Sequence, residues 1–271
     1  YAESTGKPIR FVHIPKTIDN DVEGTDHSPG FGSASKYLSH TIQLFAADMI
    51  ALRVKPRVEI IEVMGGNCGW LPAASALFKR PAHPYPDLVY LPEQQIDADT
   101  LLSDVEKAFA RDRSIIVVIP DHLHIAGLPR DEATIDDPIR RHNAGVGHRA
   151  ANFLSAQGGF TTRMTVPNAL FRIGSGLRSR RDAEEARLLG REAVGFALRG
   201  CSGGMAALVR QPGGPYRCRA EWVDRDGLAG AEKPFPAEYW DADAHQPTEA
   251  FRAYMMPLID DEEPDLLYRL E

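Results

Sequence analysis

The chain has 271 residues, with 31 Lys+Arg against 38 Asp+Glu, a net charge of −7, and 43% hydrophobic and 25% charged residues. That is enough chain to bury a core, as one large domain or two lobes, and the acidic balance excludes nucleic acid as a default partner because phosphate backbones select basic faces. No apolar run approaches the ~18 residues a membrane span needs, so no membrane partner is expected, and three cysteines without CxxC spacing argue against a disulfide framework or structural zinc and for a cytoplasmic, reducing home.

In chain order, Tyr1 to Lys7 is a polar lead-in without an initiator methionine, so the chain is expected to be a piece of a longer polypeptide. Ile9–Pro15 is expected as a buried strand, followed by a helix over Ser33–Leu52 whose apolar stripe is Leu38, Ile42, Phe45, Met49 and Leu52. Arg57–Val63 and Asp87–Leu91 read as strands, and Pro81–Pro86 as a loop, because its prolines fit neither a helix interior nor a central strand. A second helix is expected over Asp99–Arg111, with Leu101, Leu102, Val105, Ala108 and Phe109 inward. Ser114–Ile119 is the clearest strand, continuous and β-branched as a strand covered on both faces must be. Arg163–Val166, a helix over Arg181–Arg199 facing inward through Ala186, Leu189, Ala193, Val194 and Ala197, and the strand Gly204–Arg210 follow. Gln211–His245 is rich in Gly, Pro and charge and is expected to be irregular, and Asp260–Asp265 is expected to be a solvated acidic run. The alternation of strands and helices predicts an α/β protein with mainly parallel sheets flanked by helices.

The segment richest in chemistry is Pro15-Lys16-Thr17-Ile18-Asp19-Asn20-Asp21, directly after a strand. Ligands of open α/β sheets gather at the carboxyl ends of strands. Two carboxylates at i and i+2 beside a lysine and a threonine suit phosphoryl transfer: an Asp takes the proton of an attacking hydroxyl, the Lys neutralises phosphate oxygens and the Thr donates a hydrogen bond. A polar turn is the competing reading. Other candidates are weaker. No Gly-x-Gly-x-x-Gly links a strand to a helix, Gly174-Ser175-Gly176 lacks the flanks of a nucleophile elbow, His122 and His124 read as loop histidines, and Cys68 as a buried small residue.

The string Pro15–Asp21 followed by Gly24-Thr25-Asp26 resembles the signature of the phosphofructokinase family, and the later segments keep the family's order: Arg57–Gly65 with Gly69-Trp70, Thr162-Arg163, Arg172, Asp182–Gly190 and Ser202–Met205. Lys233–Tyr239 and Tyr254–Leu258 are similar to its pyrophosphate-using branch, as is Lys16, where the ATP-using branch has glycine. The resemblance implies a two-lobed fold, with 1–32 ending a donor-binding lobe, 33–168 forming the sugar-phosphate lobe and 169–271 returning to the first lobe. It implies phosphoryl transfer from pyrophosphate, with Mg2+, to the 1-hydroxyl of fructose 6-phosphate in a homodimer or homotetramer. Asp19 would be the general base, Thr17 a substrate contact, and Asp21 a support for the magnesium–phosphate shell. Met64, Gly65 and Gly66 would line the sugar pocket, with Arg57 and Arg163 reaching a neighbouring subunit's 6-phosphate and Arg172 a phosphate within the subunit.

Four positions depart from the family pattern. Gly66 replaces an arginine, Pro120 stands for a glutamate with Asp121 out of register by one, and Ala169 and Phe171 replace polar residues, so that Leu170 and Phe171 are expected to make the pocket more apolar. The alternatives these departures raise are a non-catalytic, regulatory subunit and a kinase for another sugar phosphate. The glycine-rich loops of the family's donor site precede its Thr-Ile-Asp-Asn-Asp motif, so this chain alone is expected to be inactive.

Overall fold

The computed structural model describes residues 4, 6–7, 9–52, 55–129, 145–224 and 232–264. Its centre is a four-stranded, all-parallel sheet in the order β3-β5-β2-β7, built from β2 (Arg57–Val63), β3 (Leu88–Val89), β5 (Ser114–Pro120) and β7 (Thr162–Thr165). The β-branched run of β5 explains its central place. Ile115, Val117 and Ile119 point to one face and Ile116 and Val118 to the other, and all five are buried.

Two helices cover one face, α3 (Ala98–Arg111) and α4 (Val146–Gly158), packing Leu101, Val105, Ala150 and Leu154 onto the strands. The short strands β4 (Ile96–Asp97) and β6 (Ile125–Ala126) pair beside them. Asp97 then caps α3, accepting the Thr100 N–H at 2.7 Å. The other face carries α1 (Phe31–Ala51) and α2 (Trp70–Ala74). A second sheet, β1 (Val12–His13) beside β8 (Gly204–Arg210) beside β9 (Cys218–Asp224), packs on α6 (Arg180–Leu198), with the short helix α5 (Leu170–Ile173) preceding it. The chain then runs through the β10 (Trp240–Asp241) and β11 (Gln246–Pro247) pair into α7 (Glu249–Met255) and a 3-10 turn, Met256–Ile259. That closing segment lies against the start of α1. A Cβ on Gly32 would stand 2.7 Å from the Leu258 carbonyl oxygen. Gly32→Ala should therefore push two elements apart and cost about 1–3 kcal/mol, read as a lowered urea midpoint with an unchanged m-value.

Several expectations need correcting. The apolar run Ile9–Ile14 is not buried: only Val12–His13 is strand, and Phe11 is 61% exposed, because β1 pairs on one side alone among the described residues. Leu52 ends α1 on the outside, and on α6 Ala186 and Val194 face out while Asp182, Glu185, Leu189, Ala193 and Phe196 form the buried stripe. Gln211–His245 is not wholly irregular. It contains β9, whose Cys218, Ala220 and Trp222 alternate onto the α6 side. The helix α4 was not expected, since small residues give it a faint stripe. Of the acidic run, Asp260 is no solvated tail: it receives the Arg180 and Arg181 N–H groups, both at 2.8 Å, and pairs with Lys36 at 3.0 Å. Asp265 lies outside the described residues.

Candidate active site

The stretch from Lys16 to Gly30 crosses the molecule between the two sheets. Thr17 bridges Gly30 in parallel, the Lys233 N–H donates to the Asp21 carbonyl at 2.8 Å, and the Cys68 thiol donates to the Asp19 carbonyl at 3.3 Å. Asn20 sits in the left-handed region at φ 60°, fully buried, and its Oδ1 accepts the Ser28 N–H at 3.2 Å. This turn sends the Asp19 side chain one way and the backbone the other. The Asp19 N–H donates to Thr17 Oγ1 at 3.0 Å, which fixes the base of the turn.

The Asp19 carboxyl is half-buried, and its Oδ1 is shut off from solvent with no hydrogen-bond partner. Burial, and then the neighbouring Asp21 charge, push its pKa above the ordinary aspartate value, against the opposing pull of His122, Thr17 and Lys16. Gly66 lies directly over it: in the left-handed region at φ 62°, it would place a Cβ 3.4 Å from Asp19 Oδ2. Gly65 is packed against Pro72, whose Cδ would lie 2.7 Å from an added Cβ. Met64 is half-buried against the core beside them. Thus Lys16, Thr17, Asp19, Asp21, Met64, Gly65 and Gly66 come together where β2 ends.

Asp121, expected to be out of register, belongs to the same place. Its N–H donates to the Val63 carbonyl at 2.8 Å, extending the β2–β5 ladder by one residue and setting its side chain beside the Met64–Gly66 turn. Burial first, with Glu62 and Asp19 adding to it against His122, brings its carboxyl up to about 6, and its Oδ1 also lacks a partner. His122 contacts Asn67 through Nδ1 at 3.0 Å. Since an amide oxygen only accepts, Nδ1 carries the proton in that bond. The signal for Asp121 was its position right after the continuous apolar strand. Cys68 is buried, and burial pushes its thiol up to about 12, so it is no nucleophile.

Arg57 and Arg163 are not brought to Asp19 within this chain. Arg57 starts β2, about 20 Å of strand away from its end, and Arg163 sits opposite Glu59 on β7. They share that carboxylate: Glu59 Oε2 lies 3.2 Å from Arg57 Nε and 4.0 Å from Arg163 Nε, with Asp48 at 3.5 and 3.9 Å. Arg172 is exposed on α5 and lines a cleft of about 230 Å³ together with Lys16, Gly30, Ser33, Arg178 and Asp182. Leu170 does not line it and stays 48% exposed, while Phe171, packed against the Tyr37 ring at 6.0 Å, is buried and lines the cleft. Phe171 thus lines the cleft with Ile18 and Ile173 as an apolar side, whereas Leu170 adds nothing to it.

His124 is exposed, and among the described residues the one group of three spaced to hold a metal lies elsewhere, at Asp26, His27 and Cys218. Both nitrogens of buried His27 face carboxylate oxygens, Asp26 at 2.8 Å and Glu185 at 2.7 Å. Carboxylates only accept, so the ring is a doubly protonated imidazolium rather than a ligand. Among the described residues no helix is long and apolar enough to cross a membrane.

Comparison with known proteins agrees with this geometry. The phosphofructokinase family model matches residues 2–197. The chain is 31% identical over 265 residues to a pyrophosphate–fructose 6-phosphate 1-phosphotransferase of Methylococcus capsulatus, covering 97% of this chain and 63% of that protein. Over 124 residues, 46% of this chain and 32% of the other, it is 40% identical to a sulfofructose kinase of Alkalicoccus urumqiensis. The crystal structure of a pyrophosphate-dependent phosphofructokinase from Marinobacter aquaeolei superimposes with a TM-score of 0.81 at 28% identity, covering 99% of this chain and 67% of that one. The chain thus spans under two thirds of the length of its Methylococcus relative. With a family model covering most of its length and an α/β fold shared from end to end with such an enzyme, the chain belongs to the phosphofructokinase family.

Proposed function

We propose that this chain forms the acceptor and general-base part of an enzyme that moves a phosphoryl group from pyrophosphate to the 1-hydroxyl of fructose 6-phosphate. The observation that carries the reading is the Asp19 carboxyl, half-buried under Gly66 with an unpartnered oxygen, flanked by Thr17 and Lys16. Asp19 takes the hydroxyl proton as the new oxygen–phosphorus bond forms and the bond to the departing phosphate breaks. Thr17 orients the reacting oxygens, and Lys16 supplies a compact positive charge that suits a diphosphate, on a stem that obstructs the space a nucleotide would need. Gly65 and Gly66 let the sugar approach the carboxylate, and Met64 lines its apolar edge.

The Asp21 carboxylate makes no hydrogen bond or ion pair among the described residues and lies beside the orphaned Asp19 oxygen, a pair of hard donors that fits magnesium. Asp21 would hold it, and bound magnesium would neutralise the phosphate oxygens. In this reading 1–32 completes a donor lobe, 33–168 is the sugar-phosphate lobe and 169–271 returns to the first lobe. Arg57 and Arg163, too far from Asp19 to serve it, act on a neighbouring subunit's site in a homodimer or homotetramer.

The test is a coupled assay of the full gene product with fructose 6-phosphate and either pyrophosphate or ATP. Turnover with pyrophosphate at least about tenfold faster than with ATP is expected; a preference for ATP would overturn the role of Lys16. A second reading, transfer to a fructose carrying another anion at its 6-position, is favoured by the glycine at position 66 and by the 40% identity to a sulfofructose kinase. A panel of sugar phosphates and sulfonates as acceptors separates the two.

A further inference from the structure

We infer that Arg178 is a substrate-binding residue, completing with Lys16 and Arg172 a three-cation socket for a phosphate dianion. All three residues line the same cleft of about 230 Å³ beside the Asp19 turn. None of them makes a side-chain hydrogen bond or ion pair among the described residues. The cleft does contain a carboxylate, Asp182, but it is already committed. Its Oδ1 accepts the Gly30 N–H at 2.9 Å, and its Oδ2 accepts the Ser33 N–H at 3.1 Å and the Ser33 hydroxyl. Three positively charged residues therefore border one cleft with no side-chain ion pair among the described residues, and the carboxylates near them, Asp182 in the cleft and Asp19 beside Lys16, leave a net positive charge there in a chain of net charge −7. All three are exposed and free to turn toward a ligand, and an anion in the cleft gains charge-assisted hydrogen bonds from them.

The position of Arg178 is set by the fold. It precedes Ser179, the cap of α6, whose Oγ accepts the Asp182 N–H at 3.1 Å. Asp260 then clamps the next two residues, taking the Arg180 and Arg181 N–H groups at 2.8 Å each. The backbone on one side of Arg178 is thus anchored while its side chain borders the cleft, an arrangement that lowers the ordering cost of binding. A phosphate group enters in two ways in the proposed reaction, on the acceptor sugar and in the diphosphate donor, and both present the same dianionic chemistry to a guanidinium. The inference rests on the proposed phosphotransferase reading for its substrates, and it adds a residue to which the family resemblance gives no role.

The experiment compares Arg178→Ala, Arg178→Lys and, as a control for net charge, Arg187→Ala on the exposed side of α6, all in the full gene product. KM is measured for fructose 6-phosphate at saturating pyrophosphate and for pyrophosphate at saturating fructose 6-phosphate. Arg178→Ala should raise one of the two by about 10- to 100-fold, with Arg178→Lys recovering part and Arg187→Ala unchanged. A rise confined to the sugar phosphate assigns the socket to the acceptor, and a rise confined to pyrophosphate assigns it to the donor. Both KM values within twofold of the parent protein would overturn the inference. Calorimetric titration with fructose 6-phosphate and with inorganic diphosphate supplies the independent arm. Arg178-dependent binding without turnover would keep the socket and remove the proposed reaction, whereas binding of both ligands unaffected by Arg178→Ala would remove the socket.

Discussion

Asp19→Asn should lower kcat of the full gene product by about 10²–10⁴-fold while leaving calorimetric binding of fructose 6-phosphate within about twofold. Asparagine matches the carboxylate in shape and keeps an acceptor oxygen, so the substrate contacts persist, but its amide cannot accept the proton released as the acceptor hydroxyl attacks. The backbone turn survives because its own bond, Asp19 N–H to Thr17 Oγ1 at 3.0 Å, does not use the carboxyl. Asp121 is too weakly placed to substitute: it extends the β2–β5 ladder rather than the turn that carries Thr17. A variant with kcat within tenfold of the parent would remove Asp19 as the base.

His27→Ala should destabilise the protein by about 3–5 kcal/mol, the range for removing one partner of a buried charge pair. His27 is 1% exposed and lies between Asp26 and Glu185. Glu185 also accepts the Tyr216 hydroxyl at 2.8 Å, and Asp26 pairs with Arg210 at 3.3 Å. Without the imidazolium, two carboxylates face each other across a cavity. Burial alone would pull the His27 pKa down, but the hydrogen bonds and charges of Asp26 and Glu185 outweigh it and hold the ring above its ordinary value of 6.5.

The pH dependence follows in sign from that shift. The folded state holds the His27 proton more tightly than the unfolded chain, so this stabilisation is complete below about pH 6.5 and is lost as pH rises through the raised folded value. Asp26 gives the opposite limb. Burial raises its pKa, but His27 and Arg210 outweigh that and lower it, so its contribution is present above about 3.8 and is lost as pH falls through the lowered value. Urea unfolding between pH 5 and 9 should show the alkaline loss in the parent protein and a flatter curve in His27→Ala. Equal slopes in the two would mean that folding leaves the His27 pKa unchanged, and a parent curve that rises through pH 6.5 relative to the variant would mean that the ring is neutral in the fold.

Local signals carried the elements whose surroundings are uniform. The continuous apolar run Ile115–Ile119 of β5 is legible because both faces of a central parallel strand are dry, and β2, buried along its whole length, keeps enough of that pattern around Arg57, Glu59 and Glu62 to be read. They fail where burial is one-sided or the stripe is made of small residues. Ile9–Ile14 has the composition of a buried strand, yet among the described residues β1 has a neighbour on one side only, and α4 buries Ala150, Ala151 and Gly147 with little amplitude in its pattern. The strand β9 hides in a stretch of glycine, proline and charge because only every second residue packs.

The turn proposed to carry the base, Lys16 to Asp21 with Met64, Gly65 and Gly66, was available from the order of residues, since its chemistry depends on neighbours in the chain and on one recurring motif. What contacts that turn was not. The approach of Asp121 depends on one further ladder bond past β5, and the distance separating Arg57 from Asp19 on the register and length of β2. The meeting of Lys16, Arg172 and Arg178 depends on a loop folding back across more than 150 residues of sequence. Residue type and local spacing determined which groups are able to react, because ionisation and hydrogen-bonding capacity belong to the side chain. Which groups share a solvent-shielded volume was decided by the tertiary structure alone, because burial and charge proximity are set by long-range packing that no local pattern encodes.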